Sequence, residues 1–507
     1  MPADIATLEE AYQKARTSAD RLAIAVARGR STEIAEREAD TARATLRTLI
    51  GAAPPGKSPD PSTDADTGDD AAALAAIRRW LDDADRPDDD LTAISTTLTD
   101  AYAAAAATVD TGDATLTRLA VLERLRIEPD PAHRRHLFEA LAPVWRTIDG
   151  DGSEAGSPYR RDLLPLSARR WAAGPSPVDR NARALGIDPD AIEPILQAVL
   201  GTWREAYGRH ARIEPWDWWY ASGEADRALA GAIPIERLTQ ISDAYHASLG
   251  ADPGELPIHF DVLTRADRPQ VPVAYTDFGD RGGAGTRPSA WVFASYSAGG
   301  LGELTELVHE TGHAIHLAAI DTRPAYVDWP DSDALTEAIA ELAALDTAEP
   351  AWQEHWLGAS VPEKVALRGR YAEVVLDICW ALLELRLHAD PSARPNDVWA
   401  DLTSEYLGII PHPELSWWAM RGQLIQEPGY MLNYALGPIL AADMRAGIRT
   451  VRGNWTYGDL GWYGWVSEHI LRFGTERSAA RVLADLLGRP PSANPLIHEI
   501  LRGADAV

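Results

Sequence analysis

Apolar residues recur along most of this 507-residue chain at spacings of three and four, the period of a helix with one face turned to a core. Alanine-rich stretches laced with Arg and Glu follow that period over 4–50, 73–107, 113–145, 190–208, 234–248, 333–347 and 361–389. Period-two alternation, the mark of a half-buried strand, is confined to 256–264, 270–278 and 289–296. The pattern predicts a mainly α protein, a large helical body with one small β-sheet.

Within the last strand, Ser289-Ala290-Trp291-Val292-Phe293-Ala294-Ser295-Tyr296 is rich in strand formers and is closed by the turn Ser297-Ala298-Gly299-Gly300. It reads as an edge strand, to which an extended peptide could add through main-chain hydrogen bonds. Ala290, Trp291, Phe293 and Ala294 are therefore the predicted substrate-binding positions. The loop before it, Asp280-Arg281-Gly282-Gly283-Ala284-Gly285-Thr286-Arg287, reads equally as a lid and as a plain hairpin connection. No Lys-Ser or Lys-Thr pair closes it, so it is not a phosphate loop.

Directly after that turn comes a helical pattern with Leu304, Leu307, Val308, Thr311, Ala314, Ile315 and Ala318 on its apolar stripe. The stripe is broken by His309-Glu310-Thr311-Gly312-His313. Positions i and i+4 share a helix face, so both imidazoles can hold one metal ion while Glu310 projects from the adjacent edge. Zinc bound there would lower the pKa of a water toward neutrality, and the carboxylate would take its proton. Gly312 costs about 1 kcal/mol against Ala in mid-helix, and so predicts a close approach by a neighbouring backbone or side chain.

The third ligand is not a histidine of the same turn. A three-histidine site would need Gly at 316 and His at 319, where this chain has His316 and Ala319. Instead Asp333-Ala334-Leu335-Thr336-Glu337-Ala338-Ile339-Ala340-Glu341-Leu342 reads as a second buried helix, with Asp331 or Ser332 as its cap. Glu337 is the predicted third ligand. Glu341, four residues on, shares its face and is placed to orient a ligand imidazole through the second ring nitrogen.

These residues resemble the glutamate-zincin peptidases of the thimet oligopeptidase and oligoendopeptidase F family. The string from His309 to His316 is similar to that family's signature helix, and Glu337 lies 28 positions after His309, as in the angiotensin-converting enzyme arrangement. A further resemblance, to the carboxypeptidase Taq family, lies in Gly429-Tyr430-Met431-Leu432-Asn433-Tyr434-Ala435-Leu436-Gly437. The likeness spans about 210–445 and implies a two-lobed helical body around a deep channel that admits short, unstructured peptides. It also implies that the Tyr430 and Tyr434 hydroxyls stabilise the negative oxygen of a tetrahedral intermediate, which a phenol does without carrying charge.

The chain departs from these relatives in one respect. They carry a histidine a few residues before the first tyrosine, whereas 421–428 has none. His412 brought in by a loop, a substitute among Arg421, Gln423 and Gln426, or tyrosine and zinc alone are the alternatives.

Domain organisation is expected to run as an N-terminal helical hairpin at 1–51, a flexible Pro- and Asp-rich linker at 52–72, a helical lobe at 73–175 and a catalytic region at 176–507. The clusters Trp216-Asp217-Trp218-Trp219-Tyr220 and Trp417-Trp418 read as core, given eighteen tryptophans and five phenylalanines in the chain.

A net charge of −28, from 48 basic and 76 acidic residues, disfavours a nucleic-acid partner, and no basic stripe appears. The sole cysteine, Cys379, sits in an apolar helical pattern and reads as a packing residue. The first residues contain no apolar signal region and no stretch reaches membrane-spanning length, so a cytoplasmic protein without a membrane partner is expected.

The expectation is thus a metallopeptidase with one Zn2+ per chain and a short peptide as substrate, with Glu310 as general base. The alternatives are a metallocarboxypeptidase, with Arg421 or Arg287 holding the terminal carboxylate, a hydrolase for one dedicated amide, or a peptide-binding protein without turnover.

Overall fold

Helix α1 (Ile5–Ala27) begins where Asp4 accepts a hydrogen bond from the Thr7 amide at 2.9 Å, satisfying one of the orphan donors of its first turn. It pairs with α2 (Glu33–Gly51), and α3 (Asp70–Ala84) closes the group. Their apolar faces form a small core of their own around Leu8, Tyr12, Leu46 and Ile77, which is completed by Ala325 and Tyr326 from the body of the protein. The computed structural model describes residues 4–52, 70–84, 89–208, 212–264, 270–271, 273–282 and 286–505. Most of the predicted linker, 53–69, and the centre of the predicted lid, 283–285, lie outside the described residues.

The remaining helices share one continuous apolar core that runs from Leu91 to Ile500. Trp216, Trp218, Trp219, Trp417 and Trp418 are all buried in it, so the tryptophan clusters are core, as their abundance suggested. Phe138 lies at the centre of the cluster, within 6.3 Å of the rings of Trp145, Trp216, Trp219 and Trp417. Among the described residues no helix is long and apolar enough to cross a membrane.

Besides a two-residue antiparallel pairing of 109–110 with 115–116, the described residues form a three-stranded sheet of β1 (Ile258–Leu263), β2 (Tyr275–Phe278) and β3 (Ala290–Tyr296), in the order β1-β3-β2. The alternation at 289–296 correctly predicts a strand, but its place differs from expectation. β3 is the central strand, parallel to β1 and antiparallel to β2, with Tyr275 opposite Phe293 and Phe278 opposite Ala290. Its main-chain groups are already used by both neighbours, and Ala290, Val292 and Phe293 are buried. Alternation reports a half-buried pleat but not which strands flank it. The cavity-side edge belongs to β2.

Four helices then frame the site: α4 (Gly300–Ala319), α5 (Asp333–Ala344), α6 (Glu363–Ala389) and α7 (Met431–Arg452). The start of α4 is secured by the Glu303 carboxylate, which accepts from the amides of Ser297 at 3.0 Å and Gly299 at 2.6 Å. Ser332 caps α5, accepting from the Leu335 amide at 3.3 Å. α5 packs between α4 and α7. Small residues set these spacings: a Cβ on Gly312 would lie 3.0 Å from the Ala340 carbonyl oxygen, so the glycine in mid-α4 serves the close approach that its helix cost predicts.

Candidate active site

His309, Glu310 and His313 project from α4 into a cavity of about 760 Å³, and Glu337 and Glu341 meet them from α5. The His309 Nε2 atom is 3.4 Å from Glu337 Oε2, and His313 Nε2 is 3.9 Å from the same oxygen. All three donor atoms lie within 4.8 Å of one another. Ligands at 2.0–2.1 Å in a tetrahedral zinc site stand about 3.3 Å apart, so two imidazoles and one carboxylate here fit that ion in chemistry, with the His309–Glu337 pair at that spacing and the set as a whole somewhat wider.

Glu341 Oε1 is 3.2 Å from His309 Nδ1, on the ring's far side from the cluster of donor atoms. Its other oxygen pairs with Arg370 of α6. Burial opposes charge on Glu341, yet Arg370 and His309 hold its carboxyl well below the usual carboxylate range. The ring of His309 is thereby fixed in orientation by a partner that stays ionised. Burial also opposes charge on His309, and Glu337 and Glu341 together outweigh it, holding the imidazole well above its ordinary pKa.

Glu310 is oriented by β2. The Thr276 hydroxyl is 2.6 Å from Glu310 Oε2 and 3.0 Å from the Glu310 carbonyl oxygen, and donates to one of them at a time. Burial pushes the Glu310 carboxyl up to about 6, with His309 and the Thr276 hydroxyl pulling the other way. Such a carboxylate is ionised at neutral pH and still basic enough to accept a proton.

Trp329 closes the site behind His313. The two rings are 5.5 Å apart at 84°, and Trp329 makes a similar edge contact with His316 at 5.8 Å. Neither ring nitrogen of His316 has a hydrogen-bond partner among the described residues, and burial pushes this imidazole down to about 3, so it is neutral. His316 is a buried helix residue outside the cluster of donor atoms.

Tyr430 and Tyr434 both line the cavity, their rings 5.3 Å apart at the start of α7. Burial and the charge of Glu337 raise both phenols far above their ordinary pKa, so each remains a hydrogen-bond donor. Arg421 and Gln423 also line the cavity: Arg421 pairs with Asp377 of α6 and lies 4.8 Å over Trp380, and Gln423 stands against the Tyr434 hydroxyl. His412 is held elsewhere by Glu214 at 2.8 Å and Glu414 at 2.6 Å, and Gln426 is exposed. Arg287 is exposed and outside the cavity wall.

Of the four predicted strand positions, only Ala294 reaches the cavity. Trp291 faces the opposite side of the sheet, beside His259 and under the guanidinium of Arg28. Thr276, Trp329 and Arg370 are site residues that sequence reasoning missed. Each acts across more than 15 positions of chain, with no periodic or motif signal to mark it.

One contact links packing directly to the ligand set. A Cβ on Gly437 would fall 2.9 Å from the Cβ of Glu337, a distance at which α7 or Glu337 must shift. Gly437→Ala is therefore expected to cost about 1–3 kcal/mol through overpacking and to weaken zinc binding about tenfold without removing a donor. Competition with a chelator measures this, and unaltered affinity would mean that α7 yields instead of Glu337.

No protein-family model matches the sequence, and no curated protein matches it. Comparison with solved structures gives a clear result. An M32 carboxypeptidase from Deinococcus radiodurans R1 superposes over 98% of this chain and 97% of its own, with a TM-score of 0.61 and 15% identity. A structure assigned to an oligoendopeptidase F superposes over 100% of this chain and 98% of its own, with a TM-score of 0.60 and 15% identity. Its fold is theirs. The shared fold covers the whole chain, including the N-terminal helices, where sequence resemblance had faded.

Proposed function

We propose that this chain is a zinc metallopeptidase that hydrolyses peptide bonds in short, unstructured peptides. The observation that carries the reading is the convergence of His309, His313 and Glu337 donor atoms within 4.8 Å, with Glu310 on the same helix facing the same cavity. The whole-chain likeness to a carboxypeptidase and an oligoendopeptidase F fold supports it.

His309, His313 and Glu337 would hold one Zn2+. When bound, zinc acidifies a water and polarises the scissile carbonyl. Glu310, steadied by Thr276, takes the proton of the attacking water and delivers it to the departing nitrogen. Tyr430 and Tyr434 donate hydrogen bonds to the carbonyl oxygen as it becomes negative, neutral donors suited to a site already crowded with carboxylates. An extended substrate adds to β2, the outer strand whose residues line the cavity, rather than to β3.

A second reading, removal of C-terminal residues, is favoured by Arg421, whose guanidinium lies in the cavity wall and suits a terminal carboxylate. Mass spectrometry of a mixed peptide library, with free and amidated C-termini and with and without chelator, decides between them. Oligopeptidase action predicts chelator-sensitive cleavage of both sets, with Tyr430→Phe and Tyr434→Phe each slowing kcat by about 10- to 100-fold. Cleavage of free C-termini only would assign the second reading, and an absence of chelator-sensitive products would refute both.

A further inference from the structure

Glu384, on α6 two turns beyond Asp377, is fully buried. Its Oε1 accepts from the Gly429 amide at 2.7 Å and its Oε2 from the Met431 amide at 3.2 Å. No cation pairs with it among the described residues. A buried carboxylate without a cation costs several kcal/mol, and a buried residue of similar volume would fill the space without that cost. Burial pushes the Glu384 carboxyl up to about 8, while the two amide bonds pull it back.

The two amides flank Tyr430, one on the residue before it and one on the residue after. The turn is also tightly packed at Gly429. Gly429 has φ +99°, and a Cβ there would fall 2.3 Å from Pro177 Cγ and 3.0 Å from Trp171. Trp171 in turn stacks on His388 at 3.6 Å, and His388 Nδ1 is 2.8 Å from the Glu384 carbonyl oxygen. Glu384 and Trp171 thus both meet the turn at Gly429, and both are tied to one stretch of α6. Local capping of α7 would need only a serine or aspartate in the turn itself. A carboxylate supplied by another helix does more, because it ties the start of α7 to the helix whose Asp377 holds Arg421 in the cavity wall.

We infer that Glu384 is a positioning residue for Tyr430, its two carboxyl oxygens spanning the turn and fixing the direction of the phenol hydroxyl. The inference rests on the proposed oxyanion role of Tyr430. Glu384→Gln keeps the shape but sets an amide donor against one of the two N–H groups. It is expected to lower kcat by about 10- to 100-fold, with KM and zinc content unchanged.

A cycle with Tyr430→Phe separates positioning from general support of the fold. If Glu384 acts through the hydroxyl, the double variant is no slower than Tyr430→Phe alone. An unchanged kcat in Glu384→Gln, or the same slowing in both backgrounds, overturns the inference while the Tyr430 reading stands. A normal kcat in Tyr430→Phe overturns the oxyanion reading and this inference with it, and leaves the metal site untouched. Should Glu384→Gln fail to fold, Glu384→Asp, which keeps both oxygens but withdraws them by one methylene, takes its place in the same cycle.

Discussion

Glu310→Gln is expected to keep its zinc and to lose about 100- to 10,000-fold in kcat. The amide has the size of the carboxylate and can still hydrogen-bond the Thr276 hydroxyl, which is 2.6 Å from Oε2 in the native chain. It sits outside the cluster of His309, His313 and Glu337, so the metal site should be undisturbed. What disappears is the ability to take a proton. Turnover of a peptide identified from the library, measured beside zinc content, checks this. Near-normal rates would assign the base to another residue.

Glu337→Ala is expected to lose zinc altogether under dialysis, a larger effect than the about 10- to 100-fold caused by loss of an outer hydrogen-bond partner. Glu337 Oε2 faces the Nε2 atoms of both imidazoles, at 3.4 Å and 3.9 Å, and without it the donor set is reduced to two nitrogens. Glu341 does not replace it, because its oxygens are committed to Arg370 and to His309 Nδ1. Glu341→Gln should therefore show the smaller, outer-partner loss. Zinc retained by Glu337→Ala would move the third ligand elsewhere.

The meeting of His309, His313 and Glu337 was legible in the sequence because helical geometry is local. His309 and His313 share a face by their spacing, and the alanines around Glu337 and Glu341 announce a buried helix whose carboxylates need a purpose. Gly312 was legible for the same reason, a costly residue in a helix interior that meets the Ala340 backbone. The mainly helical body and the three strands followed from periodicity alone.

What depends on chain crossings was not legible. Thr276 reaches Glu310 from a strand 34 positions earlier, and nothing in its surroundings distinguishes it from any strand threonine. The alternation at 289–296 gave a strand but could not say that β3 has a neighbour on each side, so a central strand read as an edge. His412 looked like a candidate by sequence distance from the tyrosines, yet two glutamates hold it away from the site. Arg370 and Glu384 act on the site from α6, whose pattern reads simply as a long buried helix.

The central claim is that two imidazoles of one helical turn and a carboxylate of the next helix grip a single zinc ion. Anomalous scattering at the zinc absorption edge, from crystals of the native protein, tests it most directly. The account predicts one peak per chain, about 2.0–2.2 Å from His309 Nε2, His313 Nε2 and a Glu337 oxygen. A zinc-replete crystal with no peak there, or with its peak at other residues, would contradict it.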